Sequence, residues 1–332
     1  MMKKKLIHIA LTSFLVFAVA ATSFAEKKKV FVIDSYHAGY AWNELEIKGV
    51  LGVLNVKLND DGTPDSSASE VDLRIFRMDT KRNTTQEFIR AAALNAKAEI
   101  DAWQPDILIA LDDNASKYLI APYFKDTDMP VVFCGVNWDA SVYGFPADNV
   151  TGMVEVDLIP QMLATLKPYA RGERVGLLGP DNISTRKIAD QFSQVFQLDL
   201  LPRFVTSFEE WQAAYIDFQT SVDMFIFTSG ISAFTDWDEA AAAAFVEAET
   251  TIPTGIYNDW LAPLALVGYT KVGEEQGEWA AKTALEILSG TSPADIPLAK
   301  NTKGKIYLNM HLAEKLGIKF PLKLVKRATL IQ

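Results

Sequence analysis

Residues 107–136 read ILIALDDNASKYLIAPYFKDTDMPVVFCGV, and this stretch decides the fold. Ile107–Leu111 is a short run of β-type residues. Asp112, Asp113 and Asn114 follow with side chains that cap a helix, and the helix is predicted to run to about Tyr123. Pro130 then precedes a second apolar run, Val131–Val136. A strand, a helix and a strand in this order form the repeating unit of a parallel-sheet α/β protein.

The same alternation extends in both directions. Upstream, a strand at Val30–Ser35 leads to a helix over Trp42–Leu58, and a strand at Val71–Met78 to a helix over Thr84–Trp103. Asn59–Glu70 lies between them and reads as a polar, turn-rich surface loop. Downstream, Asn137–Asn149 is rich in Gly, Pro, Asp and aromatic residues and reads as a crossing between two lobes. A second series follows. Its strands are expected at Val150–Glu155, Arg174–Leu178, Arg203–Val205, Asp223–Thr228, Thr254–Tyr257, Leu266–Tyr269 and Lys305–Met310. Helices are expected between them, the clearest from Glu274 to Leu288. The fold class is therefore α/β, with two doubly wound parallel-sheet lobes.

The chain of 332 residues opens with Lys3, Lys4 and Lys5, an apolar run from Leu6 to about Ala21, and the small residues Ser23 and Ala25 around Phe24. This is the pattern of a cleaved secretory signal peptide over residues 1–25, too short for an ordinary membrane span. An uncleaved helical anchor is the competing reading. No cysteine follows the expected cut, so no lipid anchor is expected, and the mature chain is placed in the periplasm. Removing the segment takes away three lysines and no acids. The 29 basic and 42 acidic residues that remain leave a net charge of −13. Such a chain repels phosphate backbones, which argues against nucleic-acid and anionic-membrane partners.

Cys134, the sole cysteine, sits in an apolar run and reads as a small buried hydrophobe rather than a nucleophile. Beyond residue 25 the histidines are His37 and His311, so a His-based metal site or triad would have to use one of them. There is no Gly-X-Ser-X-Gly elbow, Walker loop, Gly-X-Gly-X-X-Gly turn or HEXXH helix. No catalytic residue, metal or cofactor is expected, and the chain is not read as an enzyme.

Ligands of open α/β sheets bind beyond the carboxyl ends of the strands. The turns there carry Tyr36, His37, Tyr40 and Trp42; Asp112, Asp113 and Asn114; Asn137 and Trp138; Asn182, Ser184 and Thr185; Ser229; and Asn258, Asp259 and Trp260. Flat aromatics with short polar side chains suit a small stacked ligand, and acids beside tryptophans favour an ammonium group. The helix start near Ile183 could take a carboxylate. A zwitterion satisfies both ends. Helix capping alone would also explain many of these Asp, Asn, Ser and Thr residues.

The stretches MPVVFCGVNWD (129–139), NVTGMVEV (149–156), GYTKVGEEQGEWAAKTALEILSGTSPADIPL (268–298) and KIYLNMHLAEKLGIKFP (305–321) carry a resemblance. The chain resembles the periplasmic substrate-binding proteins of ABC transporters, of the type I fold, in particular the group with tryptophan- and tyrosine-binding members. The opening SYHAGYAW (35–42) is similar to a subgroup whose domain also serves as the extracytoplasmic sensor of signalling proteins. The resemblance implies two lobes joined by three crossings near residues 138–150, 251–255 and 289–304. Lobe one is then 26–138 plus 254–290, and lobe two 139–253 plus 291–332.

It also implies ligand contacts from Tyr36, His37, Asp113, Asn114, Asn137, Trp138, Asn182, Ser184, Ser229 and Asp259. One departure is the turn Thr228–Ser232, uncharged here where amino-acid-binding members often have an acid and an amide. The expected function is that of a monomeric solute-binding component delivering an aromatic or zwitterionic, amino-acid-like ligand to an ABC permease. The alternative is a ligand-sensing partner of a membrane signalling receptor.

Overall fold

A computed structural model describes residues 26–332, with the side chain of Ser229 left aside. The signal-peptide reading of residues 1–25 lies outside the described residues.

The first sheet contains β1 (Lys28–Asp34), β4 (Val71–Arg77), β5 (Ile107–Leu111), β6 (Val131–Asn137), β7 (Val150–Glu155) and β13 (Ala299–Lys300). Its order is β13-β7-β6-β5-β1-β4, and every pair is parallel. Two short strands pair as a separate ribbon: β2 (Lys57–Leu58) takes the end of the segment expected to be helix, which stops at Leu54, and β3 (Pro64–Asp65) lies in the expected loop. The second sheet contains β8 (Val175–Pro180), β9 (Leu200–Val205), β10 (Met224–Phe227), β11 (Thr254–Ile256), β12 (Val267–Lys271), β14 (Gly304–Asn309) and β15 (Ala328–Ile331). Its order is β15-β14-β12-β11-β10-β8-β9, parallel except where β12 meets β14.

Central strands of parallel sheets are covered on both faces, which is why their sequences are apolar throughout rather than alternating. Along β1, Val30 and Val32 face one layer, which holds the helices α1 (Ala41–Leu54) and α9 (Gly273–Leu288). Phe31 and Ile33 face the other, which holds α2 (Gln86–Trp103) and the helical segment after β5. That segment comprises α3 (Asp112–Ala115), a π turn over Ser116–Ile120 and α4 (Ala121–Tyr123). The second lobe adds α5 (Ile159–Leu166), α6 (Ile183–Phe196), α7 (Phe208–Ser221), α8 (Glu239–Glu249), α10 (Met310–Lys315) and α11 (Leu322–Val325). Its core is one cluster around Trp211, Tyr215, Phe225 and Phe227.

The chain changes sheets three times, at residues 156–158, at 272 and at 301–303. The first two correct the expected crossings near 138–150 and 251–255, and the third lies within the expected 289–304. Val150–Glu155 pairs with β6 in the first sheet, and Gly152 lets the Phe133 ring lie where a Cβ would stand, 2.4 Å away. Residues 137–149 therefore connect two strands of one lobe, through a 3-10 turn at Ala140–Tyr143. Likewise β11 and β12 belong to the second sheet, and the short strand β13 returns to the first beside β7. Composition marks a turn; it does not say which sheet the next strand joins.

Candidate functional site

The crossings are bound to one another by side chains. Asn301, in the third, accepts from Val156 N at 2.7 Å and donates to Val156 O at 3.0 Å, in the first. Glu275, at the start of α9, accepts from the backbone N–H of Thr302 and Lys303 at 3.0 and 2.7 Å. Lys271, at the end of β12, places its ammonium 2.5 Å from Glu155 Oε1 and 2.9 Å from Asp157 Oδ1. Burial opposes that charge, but the two carboxylates outweigh it and raise the Lys271 pKa.

On the first lobe, the residues beyond β1 form an aromatic corner. Tyr36 is buried and meets Tyr40 edge-on, centroids 4.9 Å apart, and Lys81 Nζ stands 4.5 and 5.1 Å from their ring centroids. Burial, then the nearby Asp112 and Asp113, push the Tyr36 phenol up. His37 Nδ1 lies 3.6 Å from Asp79 Oδ1. The neighbouring acids diverge. Asp112 turns inward, where its Oδ2 accepts from Asn43 Nδ2 at 2.6 Å. Asp113 accepts from Asn137 Nδ2 at 2.7 Å and from the Tyr143 hydroxyl at 2.8 Å, tying the ends of β5 and β6. Asn114 donates to Thr80 Oγ1 at 2.7 Å.

Trp138 has a left-handed backbone (φ 64°) and packs its ring on Phe192 and Phe196 of α6, centroids 5.6 and 6.0 Å away. It is an interlobe contact, half-buried. On the second lobe, Asn182 caps α6 by accepting from Thr185 N at 2.8 Å. Ser184 is exposed, and Thr185 is buried with its methyl group against Gly179. Ser229 opens a 3-10 turn, Ser229–Ala233; its side chain lies outside those described.

Both lobes line a cavity of about 150 Å³. Trp42 and Leu45 come from α1. Tyr257, Asn258, Asp259 and Trp260 follow β11, while Thr270, Lys271 and Lys305 come from β12 and β14. Trp42 Nε1, Tyr257 Oη and Asn258 Oδ1 are buried atoms that lack a hydrogen-bond partner. Burial, then Asp157, raise the Tyr257 phenol. Lys271 Nζ lies 5.7 Å from the Trp42 ring centroid. Asp259 and Trp260 are exposed, Trp260 by 57%.

Of the sixteen residues the sequence put on one ligand face, Trp42, Asn258, Asp259 and Trp260 line this cavity, and the others whose side chains are described do not. Sequence reasoning missed Tyr257, Lys271 and Lys81, and the buried acids Glu46 and Glu155. Glu46 had a readable signal. With Asn43, Ile47, Val50 and Leu54 it lies on the buried stripe of α1, where an acid is out of place.

Two parallel-sheet lobes joined by three crossings define the class of type I periplasmic-binding folds. The fold is similar to that of a ligand-free, open substrate-binding protein with adhesive properties from Clostridium difficile. That match has TM-score 0.67 at 15% identity and covers 92% of this chain and 99% of that one. It is also similar to an ABC domain in complex with L-Trp from Streptococcus pneumonia, with TM-score 0.52 at 18% identity over 92% and 100% of the two chains. No curated protein matches the chain in a sequence comparison. The family model for ABC transporter substrate binding proteins matches residues 70–331, and the chain belongs to that family. Such proteins bind a small molecule for a transporter and are generally not enzymes. Among the described residues, no helix is long and apolar enough to cross a membrane.

Proposed function

We propose that the protein is the periplasmic, monomeric binding component of an ABC importer and that its ligand is an aromatic, amino-acid-like zwitterion held between the lobes. The observation that carries this reading is the cavity shared by Trp42 and residues 257–260. Buried polar atoms without partners cost roughly 1–3 kcal/mol each, so a ligand that satisfies them recovers that energy. Trp42 Nε1 and Tyr257 Oη are donors suited to a carboxylate, and Asn258 Oδ1 with the Asp259 carboxylate are acceptors suited to an ammonium. Trp42 and Trp260 supply flat apolar surface for a ring. Rotation about the three crossings would close the lobes over the ligand, and the closed form is what a permease would recognise. No step of this reading changes the ligand chemically.

The test is calorimetric titration of the purified protein with tryptophan, tyrosine, phenylalanine, small aliphatic amino acids, a polyamine and a hexose. Aromatic amino acids are expected to bind, and Asp259→Ala and Trp260→Ala to weaken them at least tenfold. Binding of the hexose or polyamine alone, or wild-type affinity in both variants, overturns the reading.

A further inference from the structure

Outside the lining of this cavity, three buried acids meet on the first lobe near the first crossing. Glu46 comes from α1, Asp112 from the end of β5 and Glu155 from the end of β7. Their residues are 0%, 2% and 6% exposed, and one oxygen of each lies within 4.8 Å of the others. Asp34, fully buried beside them, is answered by Arg77 at 2.6 Å, and Glu155 by Lys271. Among the described residues, no cationic side chain pairs with Glu46 or Asp112, and no N–H donates to either Glu46 oxygen, whose hydrogen-bonding neighbour is the Asp112 carboxyl. Burial, then their mutual repulsion with Glu155, push the Glu46 carboxyl well up, and burial with Glu155 does the same for Asp112.

Two further groups converge on this spot. Asn43 is fully buried, and its Nδ2 donates to Asp112 Oδ2 and Asp34 Oδ1 at 2.6 and 2.7 Å, so its amide meets the acids as a donor. Gly135 has φ 72°, and a Cβ there would fall 2.4 Å from Glu46 Oε1 and 3.1 Å from Asp112 Oδ1. A residue with no side chain thus keeps the carboxylates clear of backbone.

Two buried carboxylates without counter-charge are costly unless protons or a cation neutralise them. All the donors are oxygens, which selects a hard cation. Calcium binds oxygen at about 2.3–2.6 Å, so oxygens across one ion lie up to ~5 Å apart, matching the observed cluster. The two unanswered charges equal those of one dication. We propose that Glu46, Asp112 and Glu155 form a Ca²⁺-type divalent-cation site that ties α1, β5 and β7 together at the hinge. Lys271 borders the site and the cavity alike, and the ion competes with it for Glu155.

The test needs no knowledge of the organic ligand. Wild-type protein stripped with chelator is titrated with Ca²⁺, Mg²⁺ and Mn²⁺, and stoichiometry and melting midpoint are recorded. One Ca²⁺ per chain is expected, with a midpoint rise of roughly 5–10 °C at a hundred times the dissociation constant. Glu46→Gln keeps the shape of the side chain and removes its charge, and should weaken Ca²⁺ binding at least tenfold. Asp112→Asn, compatible with the left-handed backbone at that position (φ 67°), should do the same. No stoichiometric binding to wild type means that protons neutralise the cluster, and overturns the site. Undiminished binding in a folded variant places the ion elsewhere and overturns it equally.

Discussion

The Lys271 ammonium, at the end of β12, lies 2.5 Å from Glu155 at the end of β7, so one ion pair joins the chain just before two of its three crossings. Removing one partner of a buried pair leaves an uncompensated charge, typically worth about 3–5 kcal/mol. Lys271→Met is therefore expected to lower the melting midpoint by about 5 °C or more at neutral pH. Lys271→Arg should recover most of the loss. Calorimetry on the three proteins checks this, and equal midpoints for Met and wild type would contradict it.

The seam between α1 and α9 depends on glycine. A Cβ on Gly277 would fall 1.8 Å from the Glu46 carbonyl oxygen, a backbone atom that cannot swing aside. Gly277→Ala should cost roughly 1–3 kcal/mol or more. Gly52, on the same α1, has open space around its Cβ position. Gly52→Ala should instead stabilise by about 0.5–1 kcal/mol, through helix propensity. Denaturant midpoints of the two variants should move in opposite directions.

Asp223 accepts from Arg174 N at 2.9 Å and from Arg174 Nε and Nη2 at 3.1 Å, and these bonds hold its carboxyl below the usual aspartate range. A depressed folded-state pKa contributes stability that is present above the unfolded value, near ~3.9, and is lost as pH falls through the folded one. Asp223→Asn should be less stable than wild type at pH 6, with the gap closing as the pH falls below about 4. A gap that stays constant from pH 6 to pH 2 would refute the assignment.

Trp138 holds the lobes together through Phe192 and Phe196. Aromatic pairs contribute about 0.5–1.5 kcal/mol each beyond area burial. Trp138→Ala should keep both lobe cores and shift the population away from the present interlobe arrangement roughly tenfold. Small-angle scattering would read this as a changed radius of gyration. An unchanged radius would show that the pair does not set the interlobe angle.

The fold class was legible because the inner strands are unbroken apolar runs: Ile107–Leu111 and Val30–Ile33 have no exposed residue. What stayed illegible was sheet membership. Val150–Glu155 and Val267–Lys271 read alike, yet they fall in different lobes, because partner choice depends on contacts such as Gly152 against Phe133. At the site, Asp259 and Trp260 stood out because turn positions expose them. Glu155 and Lys271 did not, since each is one polar residue at the end of an apolar strand and only their meeting across two crossings gives them meaning.

The placement of α9 bears on how the protein is made. Ala280, Ala281 and Ala284 are fully buried in the same layer as Val30, Val32 and Ile107, so residues 273–288 complete a face of the sheet that residue 28 begins. A nascent chain emerging from its amino end cannot close the first lobe until five of the second sheet's seven strands, β8 to β12, have been synthesised. Until then Val30 and Val32 lack their cover, and any machinery that must handle the chain unfolded has that long an interval to do so. The lobe begun first waits on nearly all of the lobe begun second.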